Sequence, residues 1–423
     1  MAVVAVVGAQ WGDEGKGKVV DLLAEKMDLV VHYAGGANPG QTLVVEGERL
    51  VFRLLPTGPI RQGRACLLAQ GMAIDPITLV DELAAIDRSS RLRGDLFVCQ
   101  RAHVVLPHHV LLDKLRDEAE GASGAPRRGI GPCYGDKLAR RGLQIGDLLV
   151  PKRFEETMAA SMDAAAATID RLGGKLPDLS EALDRYLAAG EKLKPSIVNG
   201  SRHVHRVAAE GRNVLLEGPF GTMIDLDQGN YPFVVGASTV AGGACTGTGI
   251  APGAIDAVVG VAKAYSTRAG HGPFPAEVTG ALAQKLSAGG AEIDSTTARP
   301  RRCGMFDVPA MRYAARINGF ASVVLTKLDV LSGIEEIPVC VGYELDGNVC
   351  DEPPFDGQSR IQPLVEMAPG WSESLRDCRT VDELPDNARR YVRMIEDTCG
   401  VRVSMISVGS DRSETIEVGA PYG

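Results

Sequence analysis

The chain carries no surplus of basic charge: 45 Lys and Arg stand against 54 Asp and Glu over 423 residues, a net charge of -9. Affinity for nucleic acid or an anionic membrane rests on clustered cations. A protein whose main work is to coat either is therefore excluded, and any basic site must be local. No Cys-x-x-Cys pair occurs among the nine cysteines, Cys66, Cys99, Cys133, Cys245, Cys303, Cys340, Cys350, Cys378 and Cys399. Scattered and odd in number, they offer neither zinc spacing nor a disulfide framework and suit a reduced, cytoplasmic setting. No apolar run approaches the length of a membrane span. Residues 1–7 are apolar, but they lack a basic stretch and are too short for a signal-peptide core. Repeats, low-complexity tracts and an obvious linker are also missing. What remains is an ordinary globular composition, 45% hydrophobic and 23% charged, enough to bury a sizeable core without metal or disulfide staples.

Short apolar runs at residues 2–7, 29–31, 214–216, 257–261, 322–325 and 401–407 read as strands buried on both faces. Helical patterns at 74–86, 110–118, 154–172 and 388–398 lie between them. Strand and helix alternate, which predicts the α/β class with a central, mainly parallel sheet. The length admits two or three domains, or one large α/β unit. We expect one domain over 1–423, with an Ala-rich helical subdomain inserted at about 151–210 and a small antiparallel lobe towards the C-terminus at about 333–387.

Gly12-Asp-Glu-Gly-Lys-Gly-Lys18 follows the first strand and leads into a helix, with the Gly-x-x-x-x-Gly-Lys spacing of a phosphate-binding loop (P-loop). Glycines let backbone amides approach phosphate oxygens, the helix N-terminus adds a positive field and lysine a point charge. The loop is a modified one: Val19 stands where Ser or Thr would hold Mg, so another group must do so, and Asp13 is the nearest carboxylate. The bland alternative is a chance match in a chain with 50 glycines. Thr326-Lys-Leu-Asp329 directly follows an apolar run, where an Asp can accept from the N1 and N2 donors of guanine, a pattern adenine does not offer. Alone it is a commonplace turn; beside a phosphate loop it points to GTP. Ser295-Thr-Thr-Ala-Arg-Pro-Arg-Arg302 groups hydroxyls with Arg299, Arg301 and Arg302, which suits bidentate capture of carboxylate or phosphate, or else is a solvated basic loop.

Over nearly its whole length the sequence resembles adenylosuccinate synthetase. The likeness is carried by Gln10-Trp-Gly-Asp-Glu-Gly-Lys-Gly-Lys18, Gly129-Ile-Gly-Pro132, Asp136-Lys-Leu-Ala-Arg-Arg-Gly142, Ala264-Tyr-Ser-Thr-Arg268 and Gly272-Pro-Phe-Pro275. It continues through Thr296-Thr297 with the arginines after it, Thr326-Lys-Leu-Asp-Val-Leu331, Pro369-Gly-Trp371 and Asp411-Arg412. The resemblance implies a GTP-dependent, Mg-requiring carbon–nitrogen ligase acting in two steps. Asp13 would deprotonate N1 of IMP so that O6 attacks the γ-phosphate, and the amine of L-aspartate would then displace phosphate from C6. Asp13 and the carbonyl of Gly40 would be the Mg ligands, and Lys16 would stabilise charge on the transferring phosphoryl group. GTP would be held by Gly12, Glu14, Gly15, Lys16, Gly17, Lys18, Gly40, Thr42 and Arg301, with Lys327, Leu328, Asp329, Ser407 and Gly409 around its base. Thr296, Thr297, Arg299 and Arg301 would take aspartate. Asn38, Arg140 and Arg299 would take the acceptor, Arg140 from across a homodimer interface.

Four positions depart from the family. Gln41 replaces a general-acid His, Phe220 a Gln that contacts the purine, and Val235 and Pro126 two threonines that bind the 5'-phosphate. A glutamine amide cannot deliver a proton, so general-acid help of roughly 10² to 10⁴-fold should be lost or moved. Because all four changes fall in the acceptor pocket, the leading expectation is a paralogue acting on an oxo-ring analogue of IMP. The alternative is ordinary adenylosuccinate synthesis from IMP. A third reading, a non-catalytic GTP-binding module, conflicts with retention of Asp13, Lys16 and residues 296–301.

Overall fold

The computed structural model describes residues 2–37, 41–45, 48–56, 64–88, 94–119, 127–293, 299–355 and 357–422; side chains of 41–45, 48–51, 87 and 88 are outside the description. The first apolar run forms the strand Val3–Gly8, buried at every position. It needs no polar face because it lies mid-sheet, between Ala257–Lys263 and Val214–Glu217, both parallel to it. The order across the sheet is Thr415–Glu417, Val403–Ser407, Ser322–Thr326, Ala257–Lys263, Val3–Gly8, Val214–Glu217, Leu29–Gly35, Ala65–Ile74, Asp95–Cys99 and Ile197–Val198. Every neighbouring pair is parallel except the first, where Thr415–Glu417 closes the edge antiparallel.

All six apolar runs form strands of this α/β sheet. The strand Ala65–Ile74 is not among those runs, because Gln70 and Gly71 interrupt its apolar pattern. Its last residue lies inside the helix expected from 74. Ile74 instead pairs with Val104, and the helix is Pro76–Arg88. Asp75 sets that boundary: its Oδ1 accepts from the amides of Ile77 at 3.0 Å and Thr78 at 3.3 Å, an N-cap placed just before a proline.

The Ala-rich stretch folds as Pro151–Arg171 and Leu179–Leu193. Their apolar residues Phe154, Met158, Met162, Tyr186 and Leu193 join the core that fills the sheet. The chain then returns to the sheet through Ile197–Val198, two residues too short to show a period, which pair with Val98 and Cys99 at the far edge. Towards the C-terminus, Ile334–Leu345, Asn348–Cys350 and Gln362–Trp371 form an antiparallel sheet, with Phe306–Asp307 running parallel beside the first. Trp371 and Tyr391 are in its core. Among the described residues no helix is long and apolar enough to cross a membrane.

The topology decides where chemistry can occur. Val3–Gly8, Ala257–Lys263, Ser322–Thr326 and Val403–Ser407 are consecutive in the sheet and run the same way, so the loops after them leave side by side. In open α/β sheets a ligand crevice forms outside these carboxyl ends. The packing of the Pro151–Arg171 helix is tested at Phe154, which is fully buried and stacks on Tyr186 of Leu179–Leu193 with ring centroids 6.1 Å apart. Phe154→Ala is expected to cost about 3–5 kcal/mol in urea unfolding followed by circular dichroism, and a loss under about 1 kcal/mol would contradict that packing.

Candidate active site

The loop between Val3–Gly8 and the helix Lys16–Ala24 turns back on itself through positive φ angles at Gly12 (88°), Asp13 (57°) and Gly15 (88°). Glycine meets that requirement at two positions and Asp, which tolerates the left-handed region, at the third. Glu14 fixes the curl from inside. Its buried carboxylate accepts from the amides of Gln10 at 3.1 Å and Gly12 at 2.9 Å and from Lys16 Nζ at 2.6 Å. Lys16 also donates to the carbonyl of Phe220. Gln10 fastens the loop to the next strand, donating to the carbonyls of Lys263 at 3.2 Å and Tyr265 at 3.1 Å while accepting from the Lys263 amide at 3.1 Å.

Asp13 faces outward from this curl and meets Arg301. The guanidinium lies along the carboxylate, with Nη2 donating to Oδ1 at 3.1 Å and Nε 2.8 Å from Oδ2. Behind Arg301 is Glu292, fully buried, whose Oε2 accepts from Arg301 Nη1 at 3.2 Å. Glu292 also takes Lys263 Nζ at 3.0 Å to each oxygen, Lys327 Nζ at 2.6 Å and the Tyr265 hydroxyl. Burial alone would raise this carboxyl, but Lys263 and Lys327 bring it down to about 2. Burial, then Lys327, pulls Lys263 down to about 8, with Glu292 and Asp13 opposing.

The Thr326-Lys-Leu-Asp329 loop is tied to the phosphate loop directly, since Thr326 Oγ1 donates to the carbonyl of Glu14 at 2.6 Å. Lys327 takes a left-handed φ of 58°, and its ammonium also reaches the Gly290 carbonyl at 2.7 Å. Asp329 is in the first turn of the short helix Leu328–Leu331, where burial raises its carboxyl. Lys18, the lysine that completes the phosphate-loop spacing, points elsewhere. Its ammonium donates to Ser407 Oγ at 2.8 Å and to the carbonyls of Gly409 at 3.0 Å and Glu414 at 2.9 Å, which uses all three of its donors. Lys18 therefore ties the turn at Ser407–Gly409 to the first helix, and burial brings it down to about 8 despite Glu414, Asp329 and Asp411. Lys16 is left as the lysine of the loop proper.

Other expected residues are placed less centrally. Arg299 is exposed, whereas Arg302 is committed to Glu277 Oε1 at 2.7 Å and the Gly272 carbonyl at 2.8 Å, and so is structural. Arg140 is exposed on a left-handed turn after the helix Ile130–Leu138. Asp136 holds that turn: its carbonyl accepts from the amides of Arg141 at 3.0 Å and Gly142 at 3.1 Å, and its carboxylate from Arg141 Nε at 2.8 Å. Burial opposes, but hydrogen bonds from His108, His109, Ser161 and Arg141 keep that carboxyl well below its usual range. Asn38, Gly40, Pro126, Thr296 and Thr297 lie outside the described residues; Gln41 and Thr42 belong to the strand Gln41–Val45, whose side chains do too. Phe220 stands beside the loop at φ 53°, its ring 3.7 Å from where a Cβ on Gly35 would sit. Val235 packs against the main core.

The oxygen donor that Mg requires is present in Asp13, whose side chain is 30% exposed at the loop. Val19 is buried and offers no hydroxyl. One carboxylate suits an ion that keeps several of its waters.

Residues 5–416 match the protein family described as adenylosuccinate synthetase. The chain belongs to the adenylosuccinate synthetase family. It is 47% identical to the adenylosuccinate synthetase of Sorangium cellulosum, with 98% of each chain covered. The fully ligated adenylosuccinate synthetase of Plasmodium falciparum is 34% identical and superposes with a TM-score of 0.91, covering 99% of this chain and 100% of that one. The succinoaminodeoxyadenylate synthetase of cyanophage S-2L, solved with dGMP and dATP, is 20% identical over 99% of this chain and 96% of that one, with a TM-score of 0.63, and shares the fold. As a member of the adenylosuccinate synthetase family the protein is a GTP-dependent ligase that forms a C–N bond. The family resemblance singled out Asp13, Lys16, Arg301 and the Thr326-Lys-Leu-Asp329 loop, which the fold brings together. It gave no role to Gln10, at the head of the first matching stretch, and passed over Lys263 and Glu292. The available signal was a lysine closing the otherwise apolar strand Ala257–Lys263, since a lysine buried there demands an anionic partner.

Lys18→Met removes the tie between the first helix and the Ser407–Gly409 turn. Its acceptors would be left underused, at about 1–3 kcal/mol. GDP affinity measured by calorimetry with Mg is expected to fall about tenfold; affinity equal to that of the wild type would contradict the role given to Lys18.

Proposed function

We propose that the protein makes adenylosuccinate from IMP, GTP and L-aspartate. The observation that carries this reading is the Asp13–Arg301 pair, which sets a carboxylate of the phosphate loop against the arginine that follows Thr296-Thr297. In this reading Asp13 accepts the N1 proton of IMP, O6 attacks the γ-phosphorus, and GDP leaves with the bridging oxygen. The amine of aspartate then attacks C6, and O6 departs in phosphate. Lys16 neutralises charge on the phosphoryl oxygens, consistent with catalysis by positioning and electrostatics. Bound Mg would be held by Asp13 and the Gly40 carbonyl and would draw charge from the β- and γ-phosphate oxygens. The carboxylates of aspartate are taken by Thr296, Thr297 and the exposed Arg299, beside Arg301. Asp329 accepts from guanine N1 and N2, while Arg140 reaches the acceptor site of a second copy in a homodimer.

The altered-acceptor reading rests on Gln41, Phe220, Val235 and Pro126. The relative from Sorangium cellulosum, 47% identical over 98% of its length and named adenylosuccinate synthetase, favours the ordinary reaction. Val235 has a packing role of its own, and Phe220 serves Lys16 through its backbone carbonyl and not through its ring.

The test is phosphate release by the purified protein with Mg, GTP and aspartate, with and without IMP. Release that requires all three substrates is expected; GTP turnover indifferent to IMP would defeat the assignment. Asp13→Asn keeps the shape of the loop but loses the base, so its rate should fall by at least roughly 10²-fold. A mutant retaining more than about a tenth of the wild-type rate would rule out that role.

A further inference from the structure

We infer that Glu292, a side chain fully buried among protein groups, is a positioning residue joining nucleotide recognition to Asp13. The carboxylate is divided between two loops. Oε1 receives Lys327, from the guanine-facing loop, at 2.6 Å, and Oε2 receives Arg301, which holds Asp13, at 3.2 Å. Lys263 bridges the two oxygens at 3.0 Å each from below. Exposure rises outward through the group: the Glu292 and Lys263 side chains are at 0%, Arg301 at 10%, Lys327 at 29% and Asp13 at 30%. The interior of the network is thus protein and its outer members face the site. The backbone repeats the connection, since the Arg301 amide donates to the Glu292 carbonyl at 2.9 Å and Ile293 bridges Pro300. Glu292 and Arg301 therefore close the two ends of the segment between them.

Three cations share this one carboxylate, so its charge is what allows them to stand together. Replacing it with a neutral amide of the same shape takes from the buried Lys263 the carboxylate that contacts it, which is strongly unfavourable. Lys327 then loses its anchor, and Asp13 becomes the remaining anion of the network for Arg301. A shift in either loop reaches the other through a single rigid group, and groups linked in this way couple in mutant cycles.

The inference rests on the GTP and aspartate reading above, and its test separates the two. Glu292→Gln in the full chain is titrated with GDP and Mg by calorimetry, which needs no acceptor and no turnover. We expect GDP affinity to fall about tenfold in the wild-type background and by less than about twofold in a Lys327→Met background, where the anchor is already gone. With IMP as acceptor, kcat at saturating GTP should also fall at least about tenfold, through Arg301 and Asp13. Unchanged GDP affinity, or an equal loss in both backgrounds, would reduce Glu292 to a contributor to stability and overturn the inference. If Glu292→Gln does not fold, Glu292→Asp carries the same test, because it keeps the charge but is one methylene too short to serve both loops. The same two outcomes decide it.

Discussion

The pairing of Asp13 with Arg301 spans 288 positions of sequence, and the site depends on it. Its existence follows from topology. Val3–Gly8 and Ala257–Lys263 are adjacent and parallel, and Arg301 lies in the crossover from Ala257–Lys263 to Ser322–Thr326, so a carboxylate from the first loop and an arginine from that crossover meet. Neither group could be held there alone. Glu14 and Gln10 curl and fasten the first loop from within, and Glu292 seats Arg301 from behind. The chemistry assigned to Asp13 needs its carboxylate exposed enough to meet substrate and constrained enough to meet it in one pose, which this arrangement provides.

Much of the frame was legible from residues alone. Strands buried on both faces read as continuous apolar runs, and six such runs proved to be strands of one sheet. The phosphate loop was legible because glycines at Gly12 and Gly15 are what its positive φ angles require. The harder elements fail for physical reasons. Ile197–Val198 is too short to carry a period. In Ala65–Ile74 polar and small residues stand where the strand passes other backbone: a Cβ on Gly71 would lie 2.1 Å from the Tyr33 carbonyl oxygen. At the site, spacing named Lys18 as a phosphate ligand, yet spacing cannot say where a flexible four-carbon side chain points. The structure turns Lys18 towards Ser407, Gly409 and Glu414. Glu292 was invisible for another reason: a lone glutamate ahead of a Ser/Thr-rich segment looks solvated until the fold buries it among three cations.

Of the four departures, Phe220 lies against the phosphate loop, where its carbonyl accepts from Lys16, and Val235 packs on the main core. Whole-length relatedness to adenylosuccinate synthetases weighs towards IMP, and the retained machinery requires an oxo group that can be made into a leaving group. Both considerations converge on the same intermediate, a 6-phosphoryl purine, as the chemical centre of the account.

That intermediate has one direct signature. If O6 of the acceptor attacks the γ-phosphorus and later departs in phosphate, the oxygen carried by IMP must appear in the phosphate product. The protein is supplied with IMP labelled with ¹⁸O at the 6-position, together with GTP, Mg and aspartate in unlabelled water, and the phosphate is read by mass spectrometry. The account predicts one ¹⁸O in each phosphate released. Phosphate without ¹⁸O, its fourth oxygen taken from water, would mean that GTP is hydrolysed by water, and would contradict the mechanism assigned to Asp13.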